Sequence, residues 1–476
     1  MSVIKANNRK IKFVKDFGTY SIGVLGTRVI TFLMIPLYTY FVENPSNYGV
    51  WDLCLQATIF LLPLSTLQMR EAAFRFLFEE NDVDKKKRII SFIFSTLTIN
   101  LSVITLSVLL LSIFWHFQYI WLTLLLLLSS SFHDVMCQIA RGLNRNDVYV
   151  SCNLINAALV AFLSIVFVAF LKMDISGIFL ANIISRIMIC MYLQIRLHIL
   201  SYISSLNNGC WKDIGKEILH YSIPLIPMSM CWLVTTVSDR FFIKFLVSSE
   251  MTGVYAAAIR YTMILQSLAL IFYQTWQETA IKEYNTPDKN QFFSKIFNYY
   301  VYVLGLLLIV YSYTLKFFYP WLVGPNYQEG AQYLFMMGGV FLLGAVSSSF
   351  FDLGYQCAKE TKRALPAIIL AAVINVCSNL LATPRLGVNG VILSNFFSYL
   401  ALGIYRYIDT KRYFRLTISS NLIIMVVIVI SGLILYSVNF SFAYDVLIFI
   451  VLLFLSILAM PKGLKSQISI LLHKRK

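Results

Sequence analysis

The sequence predicts an all-α polytopic membrane protein of about fourteen transmembrane helices. Composition is the first observation, because 58% of the 476 residues are hydrophobic and only 13% are charged. A water-soluble fold of this length could not bury so much apolar surface. The second observation is a recurring apolar run of about 20 residues, the helical length that crosses a hydrocarbon core about 30 Å thick. The third is a regular alternation of positive charge between successive connections.

The apolar runs mark the predicted spans in chain order. In the first half they are Asp16 to Phe41, Tyr48 to Met69, Ile89 to Phe114, Ile120 to Ile139, Val148 to Leu171, Ile175 to Ile195 and Ile218 to Phe245. In the second half they are Gly253 to Ala280, Phe292 to Leu315, Ala331 to Gln356, Leu365 to Thr383, Val388 to Tyr407, Leu416 to Val438 and Phe442 to Met460. Each run is long enough to cross the bilayer as a helix.

The charge pattern predicts the orientation of these spans, because Lys and Arg accumulate on the cytoplasmic side of a membrane protein. Basic clusters occur at both ends of the chain and in every second connection, including Lys85 to Arg88, Arg141 with Arg145, and Lys411 with Arg412 and Arg415. The intervening connections hold only Lys172, Lys244, Lys316 and Arg385. We therefore expect an even number of spans with both termini in the cytoplasm. The net charge of +16 is then a topology signal and not a nucleic-acid site.

An internal repeat predicts two related halves, as in many transporters. The segment GIFLANIIS, from Gly177 to Ser185, is similar to GVILSNFFS, from Gly390 to Ser398, and places span six over span twelve. We predict an N-terminal lobe at residues 1–200 (spans 1–6), a cytoplasmic linker at 201–217 and a C-terminal lobe at 218–412 (spans 7–12). Residues 413–476 would hold two extra helices and a cytoplasmic amphipathic tail.

Two stretches of sequence resemble one transporter family. The first predicted helix ends in Pro-Leu-Tyr-Thr, from Pro36 to Thr39, and a short outer turn leads to Tyr48-Gly49. The seventh carries Ser238-Asp239-Arg240, followed by Gly253 and Tyr255. These features are similar to the Wzx-type polysaccharide flippases of the multidrug/oligosaccharidyl-lipid/polysaccharide (MOP) exporter superfamily. The resemblance implies two six-helix lobes around a central cavity that opens alternately to each face of the membrane.

The resemblance also implies a function. The expected substrate is an undecaprenyl-diphosphate-linked oligosaccharide, such as an O-antigen, capsule or exopolysaccharide repeat unit, carried from the cytoplasmic to the periplasmic leaflet. The expected location is a bacterial inner membrane. Membrane lipid, a polysaccharide polymerase and a chain-length regulator are the expected partners. No cofactor is expected, although H⁺ or Na⁺ would serve as counter-ion.

Four arginines within predicted spans are the candidate substrate-binding residues: Arg28, Arg186, Arg240 and Arg260. Ionisable groups at membrane depth usually face a cavity or a partner. A guanidinium group is permanently charged, and its fork of donors fits phosphate oxygens two at a time. We therefore expect a cationic cavity for a diphosphate head. The alternative is that these arginines pair with carboxylates, since Asp239 adjoins Arg240 and Asp52 lies on a neighbouring span.

Asp52 and Asp239 are the candidate ion-coupling residues, because they lie deeper than the other acidic residues, Asp134 and Asp352. An exchanger needs a carboxylate that binds a proton or sodium on one face and releases it on the other. Simple salt bridges are an equally good interpretation of both residues. The intramembrane amides, among them Asn182, Asn375 and Asn395, are expected mainly to join helices.

Two rival classes remain. A membrane-embedded polysaccharide polymerase or transferase would normally expose catalytic groups on a sizeable outer loop, and here the longest predicted outer connection has a single acid, Glu329. The sequence contains no P-loop, and its five histidines are scattered. A MATE-like drug exporter is the nearer rival. Such exporters often carry cations, which a cavity bearing several arginines would repel.

Overall fold

The protein is described by a computed structural model that covers residues 26–27, 29–114, 117–203, 210–358, 360–438, 440–461 and 463–465. Those residues are overwhelmingly helical and contain no β-strand, which confirms the predicted all-α fold class. Arg28, the start of the first predicted span and most of the amphipathic tail lie outside the described residues.

The chain packs as two compact units, residues 1–240 and 241–476. The helices of the first unit are α1 (Val29–Phe41), α2 (Pro45–Ser65), α3 (Met69–Glu79), α4 (Val83–Phe114), α5 (Ile120–Gly142), α6 (Asn146–Ser164), α7 (Asp174–Leu197), α8 (Cys210–Ser222) and most of α9 (Leu225–Leu246). The division falls inside α9, later in the chain than the predicted linker. The predicted lobe boundaries stay a prediction.

The second unit contains the end of α9 and eight further α-helices within its described residues. They are α10 (Ser249–Glu283), α11 (Lys289–Leu322), α12 (Leu334–Gly344), α13 (Phe351–Cys357), α14 (Leu365–Leu386), α15 (Val388–Thr410), α16 (Ser420–Ser437) and α17 (Phe442–Leu458). A π-helical segment, Ala345–Phe350, joins α12 to α13 without a break in the helical course.

Ten helical segments of the described chain are long and apolar enough to cross a membrane, and α1 and α17 are shorter apolar helices. The protein is therefore a multi-pass membrane protein. Lipid exposure of apolar side chains fits this, since α4, α16 and α17 present many bare Leu, Ile and Val residues. The count of fourteen spans stays a prediction.

The second predicted span is interrupted. Helix α2 ends at Ser65, and the chain turns through Leu67 and Gln68, whose φ angles of 47° and 55° are left-handed, before α3 begins at Met69. Asn100 on α4 donates to the carbonyls of Leu64 and Ser65, at 2.8 and 2.7 Å. Broken membrane helices are tolerated where neighbouring side chains satisfy the freed backbone groups. Asn100 does so here.

The two C-terminal helices pack firmly on α11. Tyr302 donates to the carbonyl of Ser456 on α17 at 2.5 Å, and Tyr313 donates to the carbonyl of Gly432 on α16 at 3.2 Å. Lys316 pairs with Asp445 at 2.9 Å. Helices α16 and α17 are thus an integral part of the second unit.

Candidate functional site

Two of the most buried charged residues of the first unit form an ion pair. Arg240 Nε lies 3.3 Å from Asp52 Oδ2, and the two side chains are only 3% and 1% exposed. Asp52 occupies the middle of α2, and Arg240 lies two thirds along α9. Of the two carboxylates that the sequence offered to Arg240, the structure brings Asp52 to it.

Asp239 is also buried, at 3% exposure, next to Arg240 on α9. Consecutive helical residues point about 100° apart, so the side chains of Asp239 and Arg240 leave α9 in different directions. The Ser238-Asp239-Arg240 motif therefore places an acid and a base side by side on α9. Asp52, Asp239 and Arg240 are thus three buried charges of the first unit.

Arg186 and Arg260 belong to two other helices, α7 and α10. Arg186 is partly buried on α7, where its Nη1 donates to the carbonyl oxygen of Asn182 at 3.1 Å. Its charge also acts on Asp134 of α5. Arg260 is partly buried on α10 in the second unit. Within the first unit, the structure therefore does not place Arg186 in the Asp52–Arg240 pair. Arg28 lies outside the described residues.

A second charged cluster of the first unit was not predicted as a site. It surrounds Asp134 on α5, whose carboxylate contacts His133 Nδ1 at 3.1 Å and Arg70 Nη1 at 3.5 Å. Arg70 Nε also contacts Glu71 Oε1 at 3.0 Å. Arg70 and Glu71 belong to α3, directly after the interruption of the second span. The cluster therefore connects α3 to α5.

The second unit contains a comparable cluster around Asp352 of α13. Arg406 of α15 is 2% exposed, and its Nη2 lies 3.3 Å from Asp352 Oδ1. Gln356 donates to Asp352 Oδ2 at 2.7 Å and to the Tyr273 hydroxyl at 2.9 Å. Arg406 Nη1 also donates to the carbonyl of Ser348 in the π-helical segment at 2.6 Å. π-helical turns free backbone carbonyls, which explains this contact.

These two clusters share a sequence signal that our search for repeats missed. The segment Ser129 to Asp134 is SSSFHD, and Ser347 to Asp352 is SSSFFD, with a glutamine four residues after each aspartate. In each unit an arginine from the sixth helix of the predicted half, Arg186 or Arg406, acts on the aspartate. A direct comparison of spans four and ten would have found the match.

The intramembrane amides act within and between helices, as expected. Asn375 of α14 donates to Asn395 Oδ1 of α15 at 2.7 Å, and Asn379 donates back to the Asn375 carbonyl at 3.0 Å. Asn375 and Asn379 have no exposed surface. Hydrogen bonds between membrane helices contribute about 0.6 kcal/mol each on average, so these amides fasten α14 to α15.

The family model described as "Polysaccharide biosynthesis protein" matches residues 13–276, more than half of the chain. The chain belongs to this family. Its match covers α1 to α9 and most of α10, and so includes both Asp52 and Arg240. No curated protein matches the sequence of this polysaccharide biosynthesis protein.

Solved structures establish the fold of this polysaccharide biosynthesis protein. A lipid II flippase MurJ in an inward closed conformation is 15% identical, with a TM-score of 0.70 over 92% of this chain and 97% of that one. An inward-facing multidrug resistance MATE family transporter of the MOP superfamily is 15% identical, with a TM-score of 0.61 over 81% and 95%. A Vibrio cholerae MATE transporter is 12% identical, with a TM-score of 0.54 over 84% and 95%.

These comparisons confirm that the family member has a MOP-superfamily transporter fold. The solved structures that the fold resembles are a flippase and transporters, which agrees with the prediction that the chain is not an enzyme. The arginines and acids assigned as site residues from the sequence stay predictions.

Proposed function

We propose that this protein is a flippase for a polyprenyl-diphosphate-linked oligosaccharide, with undecaprenyl as the lipid. Membership of the polysaccharide biosynthesis family, matched over residues 13–276, is the observation that carries the proposal. The similarity of fold to a lipid II flippase over 92% of the chain supports it, because that protein is itself a flippase of a lipid. O-antigen, capsule and exopolysaccharide repeat units are the glycans that fit this chemistry.

The Asp52–Arg240 pair suggests how a diphosphate is handled. A buried guanidinium group needs an anionic partner, and Asp52 supplies one at 3.3 Å. An incoming diphosphate would compete with Asp52 for Arg240, because phosphate oxygens accept two donors of the guanidinium fork at once. The displaced carboxylate would then bind a proton or sodium ion. In this scheme Arg240 binds substrate, with Arg28, Arg186 and Arg260 as further binding residues, and Asp52 couples substrate to the ion.

The orientation of the proposed flippase follows from its charge distribution. Basic residues cluster at the two ends of the chain and in alternate connections, which favours cytoplasmic termini in a bacterial inner membrane. The diphosphate would enter from the leaflet where sugars are assembled. A polymerase and a chain-length regulator would use the product on the other face, and we propose them as partners.

A deletion strain tests this function. Loss of the flippase should leave the lipid-linked oligosaccharide on the cytoplasmic leaflet, where glycosidase added to intact spheroplasts cannot reach it. Restoring the wild-type chain should make the glycan accessible again. A strain whose glycan stays fully accessible without the protein would contradict the proposal.

A drug exporter is the second candidate, because the MATE transporter match reaches a TM-score of 0.61. The same deletion strain distinguishes the two functions. If the protein exports drugs, the deletion should increase accumulation of a cationic dye such as ethidium and leave the oligosaccharide lipid unaffected. The flippase proposal predicts unchanged dye accumulation.

A further inference from the structure

The repeated segments of α5 and α13 differ at one position of the six. Ser129 to Asp134 has His133 before its aspartate, whereas Ser347 to Asp352 has Phe351 there. In both copies the aspartate is partly exposed, with 27% of Asp134 and 30% of Asp352 accessible. Similar scaffolds therefore hold an imidazole, which can bind a proton, in the first unit and a phenyl ring, which cannot, in the second.

His133 is held between two polar groups on its own helix. Its Nδ1 lies 3.1 Å from Asp134 Oδ1, and its Nε2 lies 3.6 Å from Cys137 Sγ. The His133 side chain is 9% exposed, and its neighbour Asp134 reaches the surface. A carboxylate within hydrogen-bond distance stabilises the imidazolium form of a histidine. Asp134, at 27% exposure, is the more accessible of the two groups.

Charged and titratable groups reach this pair from the helices packed against α5. Helix α3 contributes Arg70 and Glu71, α7 contributes Arg186 and Cys190, and α6 contributes Cys152. The acid of α2, Asp52, is already paired with Arg240, and the charged residues of α4 are confined to its first two turns, Asp84 to Arg88. When His133 is neutral, the two arginines and the two carboxylates give this cluster a net charge of zero. A proton bound to His133 changes the net charge of the cluster to +1.

The cluster also contacts the start of α3, next to the interruption of the second span. Helix α3 begins one residue after the left-handed Leu67 and Gln68, and its second residue, Arg70, contacts Asp134. Ser65, the last residue of α2, is hydrogen-bonded to Ser131 at 2.9 Å, two residues before His133. A histidinium would compete with Arg70 for Asp134. Discontinuous membrane helices commonly bind coupling ions. The interruption before α3 would act as a hinge at which α3 moves when the charge of the cluster changes.

We propose that His133 and Asp134 form a proton-binding site, and that the bound proton couples the transmembrane gradient to movement of α3 through Arg70. The coupling role rests on the proposed flippase function, whereas the binding of a proton does not. The copy in the second unit has Phe351 in place of the histidine, and its Asp352 contacts Arg406 and Gln356. This copy would therefore not bind the coupling proton.

Proton binding is tested on the purified protein in nanodiscs, without substrate. The protein is labelled with ¹³C at the histidine ring carbons, and the His133 resonance is identified by its absence from His133→Phe. We expect this resonance to titrate between pH 5 and 8. In Asp134→Asn the midpoint should change, because the carboxylate that contacts the imidazole is gone. The exposed His220, identified through His220→Phe, should be unaffected by Asp134→Asn.

A His133 resonance that does not change between pH 5 and 8, or whose midpoint is the same in Asp134→Asn, would overturn the proposal.

Coupling is tested in proteoliposomes as the ratio of translocation rates with and without a pH gradient. We expect this ratio to be several-fold in the wild type and in His220→Phe, and clearly lower in His133→Phe and His133→Gln. An unchanged ratio in both His133 variants would overturn the coupling role. If even the wild type moves no lipid-linked oligosaccharide, the flippase function is contradicted, and the titration still decides the proton site.

Discussion

Arg240 is the buried basic residue that neutralises the charge of Asp52 in the first unit. With 2% of its surface exposed, it requires a partner inside the protein, and Asp52 is that partner. The sequence placed both residues at membrane depth but left two acids, Asp52 and Asp239, as candidates. The contact with Asp52 depends on how α2 packs against α9, because helix contacts of this kind depend on rotation about each axis, which hydropathy does not specify.

Removing one member of the Asp52–Arg240 pair should destabilise the protein markedly. Breaking a buried ion pair leaves an uncompensated charge and costs about 3–5 kcal/mol. We expect Asp52→Asn and Arg240→Gln each to lower the midpoint of thermal unfolding in detergent, and the double variant to lose less than the sum of the two. Additive losses would contradict the pairing.

A matched control is available in the exposed pair of Arg145 and Asp147. The Arg145 guanidinium lowers the pKa of the Asp147 carboxyl, but the two side chains are 44% and 65% exposed. Exposed pairs contribute about 0–1 kcal/mol. Asp147→Asn should therefore leave the unfolding midpoint almost unchanged.

At the scale of single elements, most helices follow the apolar runs closely, because a bilayer requires a minimum helix length. The interruption between α2 and α3 does not. The predicted span, Tyr48 to Met69, runs through it, and neither Leu67 nor Gln68 belongs to a residue type that favours a left-handed backbone. Asn100, which satisfies the freed carbonyls, is 35 residues away from Ser65 in sequence, so local pattern could not reveal it.

Asn100 should therefore stabilise the interruption. Asn100→Ala leaves the carbonyls of Leu64 and Ser65 without this donor, at a cost of about 1–3 kcal/mol. We expect a lower unfolding midpoint and faster proteolysis between α2 and α3. The neighbouring Ser102 bonds within its own helix and is exposed, so Ser102→Ala provides the control. Equal behaviour of the two variants would exclude the role of Asn100.

Helices α16 and α17 offer a second test at this scale. Asp445 of α17 is 8% exposed and neutralises Lys316 of α11, which also lies 4.8 Å from the centre of the Tyr436 ring. Asp445→Asn should loosen the C-terminal helices and expose their cysteine-substituted positions to maleimide. Lys316→Met together with Asp445→Leu should recover much of the loss, because an apolar pair can replace a buried ion pair. Failure of this recovery would indicate that Lys316 or Asp445 has another role.

At the scale of the whole molecule, the sequence predicted the membrane class, the helical fold and the family. The class and the fold followed from hydropathy and alternating charge, which the bilayer imposes along the full length of the chain, and the family followed from the resemblance of two stretches of sequence. The repeat of SSSFHD and SSSFFD was missed, because each short segment resembles ordinary apolar helix in sequence. The structure shows that the two segments correspond, because Asp134 and Asp352 each contact an arginine.

Topology is testable by labelling. In a cysteine-free background, Lys86→Cys and Lys411→Cys should resist a membrane-impermeant maleimide added to intact spheroplasts, and Lys172→Cys should react. Lysis should make all three reactive. Labelling of Lys86→Cys or Lys411→Cys from outside would reverse the predicted orientation.

Transfer of a purified undecaprenyl-diphosphate oligosaccharide across proteoliposomes tests the flippase function most directly. Glycan accessibility to an external glycosidase should rise faster with the wild-type protein than in protein-free vesicles, and Arg240→Lys, which keeps the charge but loses the bidentate fork, should slow it at least about tenfold. Equal rates in wild-type and protein-free vesicles would contradict the account.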